Sequence, residues 1–236
     1  MMNETLELRP VGWVQTLFDE KFGTPRQPGL VRHTSHIAFA EDIDPQLATR
    51  ELESFSHIWL IFWFHQARGR RDQPLVRPPR LGGNRKVGVF ASRSPFRPNP
   101  LGLSLVRHRG LTRQNGRTVL QIEGADLVNG TPVLDIKPYL PYTEAIPDAL
   151  GGFAPEAPRP RLTVTWSPAA LDALASLERL HSGAGAIIEE TLSLDPRPAY
   201  RHQEDSTHGV RMFGWNVVYC VTGEQVTVQA LEPPPY

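Results

Sequence analysis

The sequence is short of cysteine, of long apolar runs and of signal-like segments, and each shortage excludes a class of protein. Cys220 is the only cysteine among 236 residues, so neither an internal disulfide nor a cysteine-based zinc site can form. The longest apolar run, Ile58 to Phe64, is far shorter than the roughly 20 residues that span a bilayer. The N-terminus lacks the basic-then-apolar pattern of a signal peptide. We therefore expect a cytoplasmic protein with no membrane partner.

Histidine is present, but not with the spacing that a metal site requires. The chain has eight histidines and no HExxH motif. Its one HxxH pair, His33 and His36, lies in a predicted loop without supporting carboxylates. We expect no metal cofactor, and a metal-dependent hydrolase is an alternative function that this pattern does not favour.

The formal net charge is zero, yet the basic residues are unevenly distributed. Between residues 68 and 117, thirteen lysines and arginines stand against one acid, Asp72. Such a basic band predicts a nucleic-acid partner, because the guanidinium fork of arginine binds phosphate with two hydrogen bonds. A solvated arginine-rich surface is the alternative interpretation. The tRNA contacts that we predict at the start of the band are Arg68, Arg70 and Arg71.

The first 150 residues show the pattern of an antiparallel β structure. The chain has 23 prolines and 19 glycines, which favour turns and short strands over a helical bundle. Six or seven strands are predicted, including residues 6–16, 87–91, 104–108 and 117–123. The Asn115-Gly116 pair predicts a hairpin turn, and a single helix is predicted from Pro45 to Phe55. The fold class is therefore mainly β, with a closed antiparallel barrel.

The pattern changes after a proline-rich linker at residues 154–161. A strand at Leu162–Trp166 precedes a helix that Ser167 caps, and a second short helix is predicted at Ala186–Leu192. Two further runs, Val210–Val221 and Val226–Leu231, predict a hairpin. We predict two domains: residues 1–155 form the barrel, and residues 156–236 form a small α+β domain that packs on it.

Residues 92–104, with the sequence SRSPFRPNPLGLS, are the most constrained stretch of the chain. Three prolines and a glycine within eight residues exclude a helix or a central strand. The stretch carries two arginines and lies between two apolar runs. A stiff polar loop between strands is a common form of binding site, although a surface turn is the alternative.

This stretch resembles the signature of the TrmO (TsaA-like, VirR/YaeB) family, which is close to S-R-S/T-x-F-R-P-N-P-I/L-G-L/M-S. Four other stretches are similar to family motifs and occur in the same order. They are residues 21–30 (KFGTPRQPGL), 77–84 (RPPRLGGN), 135–142 (DIKPYLPY) and 195–200 (DPRPAY). The resemblance covers nearly the whole chain, and the five motifs together are highly specific.

The resemblance implies a TsaA-like β-barrel that binds S-adenosylmethionine at its rim and catalyses methyl transfer. The implied substrate is N6-threonylcarbamoyladenosine at position 37 of tRNA-Thr, methylated at N6 by a homodimer. A doubly wound methyltransferase is excluded, because no G-x-G-x-x-G follows a strand. A non-catalytic RNA-binding barrel remains an alternative. The implied cofactor contacts are Pro25, Arg26, Gln27, His65, Gln66, Arg93, Leu103, Asp135, Ile136, Lys137 and Pro138.

The chemistry suggests further site residues. The nitrogen that receives the methyl group must lose a proton, so a general base is expected. Asp135 is the first candidate, with Tyr139 and Tyr142 as alternates, although Asp135 could instead pair with Lys137 or a backbone amide. The threonylcarbamoyl carboxylate requires a donor fork.

The candidates for that fork are Arg97 and Arg197. Arg197 could instead pair with Asp195 and only fix a turn. The small C-terminal domain is then expected to bind tRNA or to contact the second subunit.

Overall fold

The structure is a computed structural model that describes residues 6–67, 73–197 and 206–234. Within these ranges the chain is mainly β, with twelve strands and four α-helices. No described helix has the length and apolar character needed to cross a membrane.

The N-terminal part contains eight strands and two short helices. Its elements are β1 (Gly12–Gln15), β2 (Thr34–Phe39), α1 (Pro45–Ala48), β3 (His57–Trp63), β4 (Leu75–Val76), β5 (Val87–Gly88), β6 (Leu101–Gln114), β7 (Arg117–Glu123), β8 (Pro132–Pro138) and α2 (Pro141–Glu144).

Six of these strands form a closed barrel in the order β1-β2-β7-β6-β3-β8. Every pairing is antiparallel, and β8 closes the ring by pairing with both β3 and β1. β4 and β5 pair with each other in a small separate ribbon. The predicted mainly β architecture is therefore confirmed.

The barrel interior follows from the two-residue period of strand side chains. On β3, Ile58, Leu60 and Phe62 are buried, whereas Trp59, Ile61 and Trp63 alternate with them and point outward. The inward residues of the six strands form one apolar core. The β6–β7 hairpin turns at Asn115-Gly116, where both residues have positive φ as the predicted turn requires.

Several predicted elements differ from the observed ones in this part. The strand predicted at 6–16 spans only Gly12–Gln15, and the strand predicted at 87–91 ends at Gly88, where a 3₁₀ turn begins. The helix predicted from Pro45 to Phe55 ends at Ala48, and a 3₁₀ turn at Leu52–Ser54 follows it. Glu51 has φ of 67° between them, which breaks the helix. β6 begins at Leu101, inside the predicted loop, because the barrel pairs residues 101–107 with β3.

The C-terminal part is a four-stranded sheet with two helices. Its elements are β9 (Thr163–Trp166), α3 (Pro168–Leu180), α4 (Ala184–Ser193), β10 (Ser206–Met212), β11 (Trp215–Thr222) and β12 (Gln225–Glu232). Ser167 caps α3 by accepting a hydrogen bond from the Ala170 amide, as predicted. The run predicted as one strand, Val210–Val221, is split by a turn at Phe213-Gly214, where both residues have positive φ.

Residues of the N-terminal part contribute to the apolar core of the C-terminal part, which is separate from the barrel core. The C-terminal core includes Phe18 and Val31, which lie between β1 and β2 in the sequence. Phe18 pairs with Met212 as an isolated bridge, and the Phe213 amide donates to the Leu17 carbonyl at 2.9 Å. The β1–β2 connection therefore holds the C-terminal sheet against the barrel.

Candidate active site

A large cleft lies where the barrel, the stiff loop and the linker of the C-terminal part meet. Its volume is about 2920 Å³. Its walls come from the β1–β2 connection, the outer face and the end of β3, the segment 73–103, and residues 150–161. Segments that are far apart in the sequence therefore line one cleft, whose walls are partly polar and partly apolar.

The predicted Pro25-Arg26-Gln27 loop and the stiff loop meet in this cleft. Arg93 donates from Nη1 to Gln27 Oε1 at 2.9 Å. Arg26 donates from Nη2 to the Arg197 carbonyl at 2.9 Å, which ties the same loop to the C-terminal part. Pro25, Arg26, Gln27 and Arg93 therefore form one wall of the cleft.

His65 and Gln66 lie where β3 leaves the barrel, and both line the cleft. Lys21 donates from Nζ to the Gln66 carbonyl at 2.7 Å, which fixes the chain after the strand. Burial lowers the pKa of His65, and the nearby Lys21 lowers it further. The imidazole is therefore neutral at pH 7 and can accept a hydrogen bond from a ligand.

An apolar wall faces these polar groups. Leu103 on β6 lines the cleft together with Leu101, and both are among the exposed large apolar residues. Ile61 and Trp63 on the outer face of β3 complete the wall, because the register pairs Ile61 with Leu103 and Trp63 with Leu101. An apolar surface beside donor groups suits a ligand with a charged end and an apolar body.

Positive charge dominates the cleft. Only two described carboxylates, those of Asp126 and Glu156, line it. Burial lowers the pKa of Arg26, and Arg161 and Arg80 add to the effect, although Asp195 opposes it. The crowding of like charges shows that the cleft favours an anionic ligand. The lysines and arginines that line it, which we call the cleft cations, are Lys21, Arg26, Arg77, Arg80, Lys86, Arg93, Arg97, Arg159 and Arg161.

The Asp135–Pro138 stretch does not line the cleft of its own chain. It lies on β8, where Asp135 is in register with Ile61. Asp135 Oδ2 pairs with Lys137 Nζ at 3.0 Å, and Oδ1 accepts from the Ile136 amide at 2.9 Å. These are the two structural contacts that the sequence left open as the alternative to a catalytic role.

The alternative bases also lie outside the cleft. Tyr139 packs edge-on against the rings of His57 and Trp59, with centroids 6.5 and 6.0 Å away. Tyr142 is 86% exposed in α2. Neither tyrosine is among the residues that line the cleft.

The predicted tRNA contacts have different outcomes. Arg68, Arg70 and Arg71 lie outside the described residues. Arg97 lines the cleft. Arg197 is only 2% exposed, and its guanidinium binds both oxygens of Asp195 at 2.8 and 3.1 Å. Arg197 therefore forms the turn-fixing pair with Asp195 that was the alternative prediction, and its fork does not face the cleft.

Sequence reasoning missed one carboxylate in the cleft, that of Asp126. Its Oδ1 accepts a hydrogen bond from Ser104 Oγ at 2.5 Å, and Ser104 is fully buried. Burial raises the pKa of Asp126 to about 6, although Ser104 and Arg93 act to lower it. No period or motif marks Asp126 in the sequence, since it lies three residues beyond β7 in the connection to β8.

The chain matches two family models in sequence order. The model of the tRNA-methyltransferase O N-terminal domain matches residues 13–145, and the model of the TrmO C-terminal domain matches residues 159–234. The two matched ranges contain most of the cleft residues described above.

Curated relatives and solved structures are similar over nearly the full length. The tRNA (adenine(37)-N6)-methyltransferase of Escherichia coli is 41% identical over 97% of this chain and 99% of its own. A putative S-adenosylmethionine-dependent methyltransferase of Pseudomonas aeruginosa is 44% identical over 90% of this chain and 91% of its own. A crystal structure of TrmO from Pseudomonas aeruginosa has 35% identity and a TM-score of 0.78, covering 97% of this chain and 98% of that one.

Proposed function

The chain belongs to the TrmO family, and on that premise we propose that it transfers a methyl group from S-adenosylmethionine to N6 of adenosine 37 in tRNA. The proposal is supported by one observation on the residues of this chain. Seven of the predicted cofactor contacts, namely Pro25, Arg26, Gln27, His65, Gln66, Arg93 and Leu103, line a single cationic cleft.

The residues present fit S-adenosylmethionine. Its methionine carboxylate requires a charged donor, and Arg93 offers a guanidinium that Gln27 already orients. Its adenine edge can bind the neutral His65 and the Gln66 amide. Leu103 and its apolar neighbours exclude water from the sulfonium side. When bound, the cofactor supplies an electrophilic methyl group, and the cleft supplies its alignment with the nucleophile.

We propose the modified nucleoside N6-threonylcarbamoyladenosine, in tRNA-Thr, as the specific substrate. Its threonyl carboxylate requires a donor fork, and Arg197 is already engaged with Asp195. Arg97 lines the cleft, and the described part of the chain contains no ion pair to it. Arg97 is therefore our candidate for carboxylate recognition. Arg68, Arg70 and Arg71 remain proposed contacts to the tRNA backbone.

A homodimer would allow Asp135–Pro138 to take part in a cofactor site, namely the site of the second subunit. These residues lie outside their own chain's cleft. Asp135 and Lys137 are on the outer face of β8, in register with Ile61 and Trp59 of β3, whereas Ile136 packs against the barrel core. They could contact a cofactor only where a second copy brings its cleft to this face. We therefore propose a cytoplasmic homodimer in which residues 135–138 complete the partner's site.

Nucleoside analysis after reaction in vitro tests the function. The full chain is incubated with S-adenosylmethionine and with tRNA-Thr that either carries or lacks the threonylcarbamoyl group. We expect mass spectrometry to find the N6-methylated threonylcarbamoyl nucleoside, and little methylation of the unmodified tRNA. Equal methylation of both tRNAs would contradict carboxylate recognition. A chain that binds tRNA but shows no calorimetric binding of S-adenosylmethionine would instead be an RNA-binding barrel.

A further inference from the structure

The Asp126 side chain is a half-buried carboxylate at the wall of a cationic cleft. It follows β7 in the turn that leads to β8, and Ser104 lies on β6. The Ser104 hydroxyl donates to Oδ1 at 2.5 Å, so one carboxylate oxygen is anchored to the barrel wall. The residue also lines the cleft that holds the predicted cofactor contacts. A fixed carboxylate therefore faces the space where methyl transfer is proposed.

The proposed reaction needs such a group. A bond forms between N6 and the methyl carbon while the carbon–sulfur bond breaks, and its electron pair stays on sulfur. The nitrogen would carry a positive charge unless its N–H proton departs. Because the nitrogen is carbamoylated, its lone pair is delocalised and the unaided attack is weak. A carboxylate that accepts this proton leaves the methylated nitrogen neutral.

Resting on the proposed function, we propose that Asp126 accepts the N6 proton during methyl transfer and that Ser104 positions its carboxylate. Asp126 is then a catalytic residue and Ser104 a positioning residue. The other described carboxylate in the cleft, Glu156, is in an exposed linker and lies 3.8 Å from Arg159. The sequence-based candidate Asp135 pairs with Lys137 outside the cleft.

The electrostatic surroundings fit a base that works near neutral pH. Burial is the main influence on Asp126 and raises its pKa to about 6, while the Ser104 hydrogen bond and the charge of Arg93 lower it. Other titratable groups that face the cleft are the remaining cleft cations, His65 and Glu156. The carboxylate is therefore mostly ionised at pH 7 and more basic than an ordinary aspartate.

The same burial has a consequence for stability that is independent of activity. A carboxyl group whose pKa is raised on folding stabilises the folded state at low pH, and this contribution is lost as the pH rises through about 6. Asp126→Asn removes the ionisation. We expect its urea midpoint to exceed that of the wild type at pH 8, with the difference vanishing near pH 4.

Single-turnover kinetics test the proposal. The wild type is measured from pH 5 to pH 9 with saturating S-adenosylmethionine and threonylcarbamoylated tRNA, and its rate should rise through pH 6. D126N should lose at least a hundredfold in rate while its affinity for S-adenosylmethionine changes less than twofold. S104A removes the hydrogen bond that favours the carboxylate, so the midpoint of its acidic limb should move to higher pH. D44N, which keeps a capping group at α1 far from the cleft, is the matched control.

The outcomes separate this inference from the function on which it rests. A wild type that forms product while D126N keeps a rate within threefold overturns the role of Asp126 alone. An S104A profile with an unshifted midpoint shows a purely structural hydrogen bond and overturns the positioning role. A wild type that forms no methylated nucleoside overturns the proposed function, and this inference with it.

Discussion

At the scale of single residues, the side chains of the cleft acquire their properties from partners that are distant in the sequence. Arg93 is oriented by Gln27, 66 positions away, and Asp126 is held by Ser104, 22 positions away. These contacts set which groups are fixed, buried or charged. The effect of a substitution on binding or stability therefore depends on which partner group loses its contact.

Arg93→Ala should weaken binding of S-adenosylmethionine. Arg93 is exposed in the cleft and hydrogen-bonded to a neutral amide, so its removal breaks no ion pair among the described residues. Loss of a charge-assisted hydrogen bond corresponds to about 1.5–3 kcal/mol. Calorimetry of the wild type and the variant measures the difference, and the urea midpoint should stay nearly unchanged. Wild-type affinity in the variant would remove Arg93 from the cofactor site.

Arg197→Ala should lower the free energy of unfolding, and its effect should not be confined to the reaction. The substitution removes the guanidinium partner of the Asp195 carboxylate, which is 4% exposed. Such losses are about 3–5 kcal/mol. Urea denaturation at pH 7.5 measures the change. Arg159→Ala removes a surface pair whose side chains are well exposed, and it should change stability by less than about 1 kcal/mol.

His33 should make the fold sensitive to acid. Burial lowers its pKa to about 4, and Nε2 has no hydrogen-bond partner among the described residues. As the pH falls from about 6.5 to 4, the His33 imidazole binds a proton in the unfolded chain but stays neutral in the folded chain. The expected loss of stability is about 3 kcal/mol.

Urea denaturation at pH 7.5 and pH 4.5 measures this loss. His33→Asn carries no titrating ring, so its pH dependence should be smaller than that of the wild type. The other histidines and Asp126 titrate in both chains and cancel from the comparison. An identical pH dependence in the two chains would show that His33 contributes nothing.

At the scale of elements, the start of β6 shows how a glycine sets the packing of two strands. Gly102 lies opposite Phe62 of β3 in the barrel register. A Cβ at residue 102 would overlap the Phe62 ring, which packs edge-on against Phe64. The close approach of the two strands at this point forms one edge of the cleft.

Gly102→Ala should therefore destabilise the barrel by about 1–3 kcal/mol, the usual result of overpacking a filled core. Urea denaturation measures the change, and near-ultraviolet circular dichroism reports the altered aromatic packing. Gly88→Ala is the control, because no described atom lies within 4 Å of its added Cβ and its φ is negative. Equal stability of the two variants would show that the Phe62 ring can move aside.

At the scale of the whole molecule, a chain with zero formal charge presents a strongly cationic cleft. Its acids lie mostly elsewhere, so the local field differs from the net charge. The C-terminal sheet contributes to this arrangement, because its core holds Phe18 and Val31 and its linker carries Arg159 and Arg161. The two predicted domains, 1–155 and 156–236, therefore make one cleft together.

Binding of tRNA should depend on salt through these cations. Arg80→Glu and Lys86→Glu should each weaken binding, and each should reduce the slope of log affinity against log salt by about one per lost phosphate contact. Filter binding between 50 and 300 mM salt measures the slope. Arg50→Glu, on a different face beside α1, is the matched control. A slope that neither Arg80→Glu nor Lys86→Glu changes would show that these two cleft cations do not contact phosphate.

Local features of this protein were determined by the sequence alone. The proline-rich loop, the Ser167 cap and the Asn115-Gly116 turn are set by neighbouring residues, so their prediction required no long-range information. The mainly β class followed from hairpin spacing. The motifs also predicted seven residues that line one cleft. A family signature identifies residues that belong to one site, although it does not show the fold that brings them together.

Only the tertiary structure decided which carboxylate and which arginine face the cleft. Asp135 belongs to a family motif and Asp126 to none, but the register of β8 places Asp135 beside Lys137 on the outer face. The connection after β7 brings Asp126 to Ser104. Arg197 has prolines on both sides, yet packing of the C-terminal core buries it against Asp195. Burial and partner choice depend on contacts between distant segments, and no local pattern in the chain encodes them.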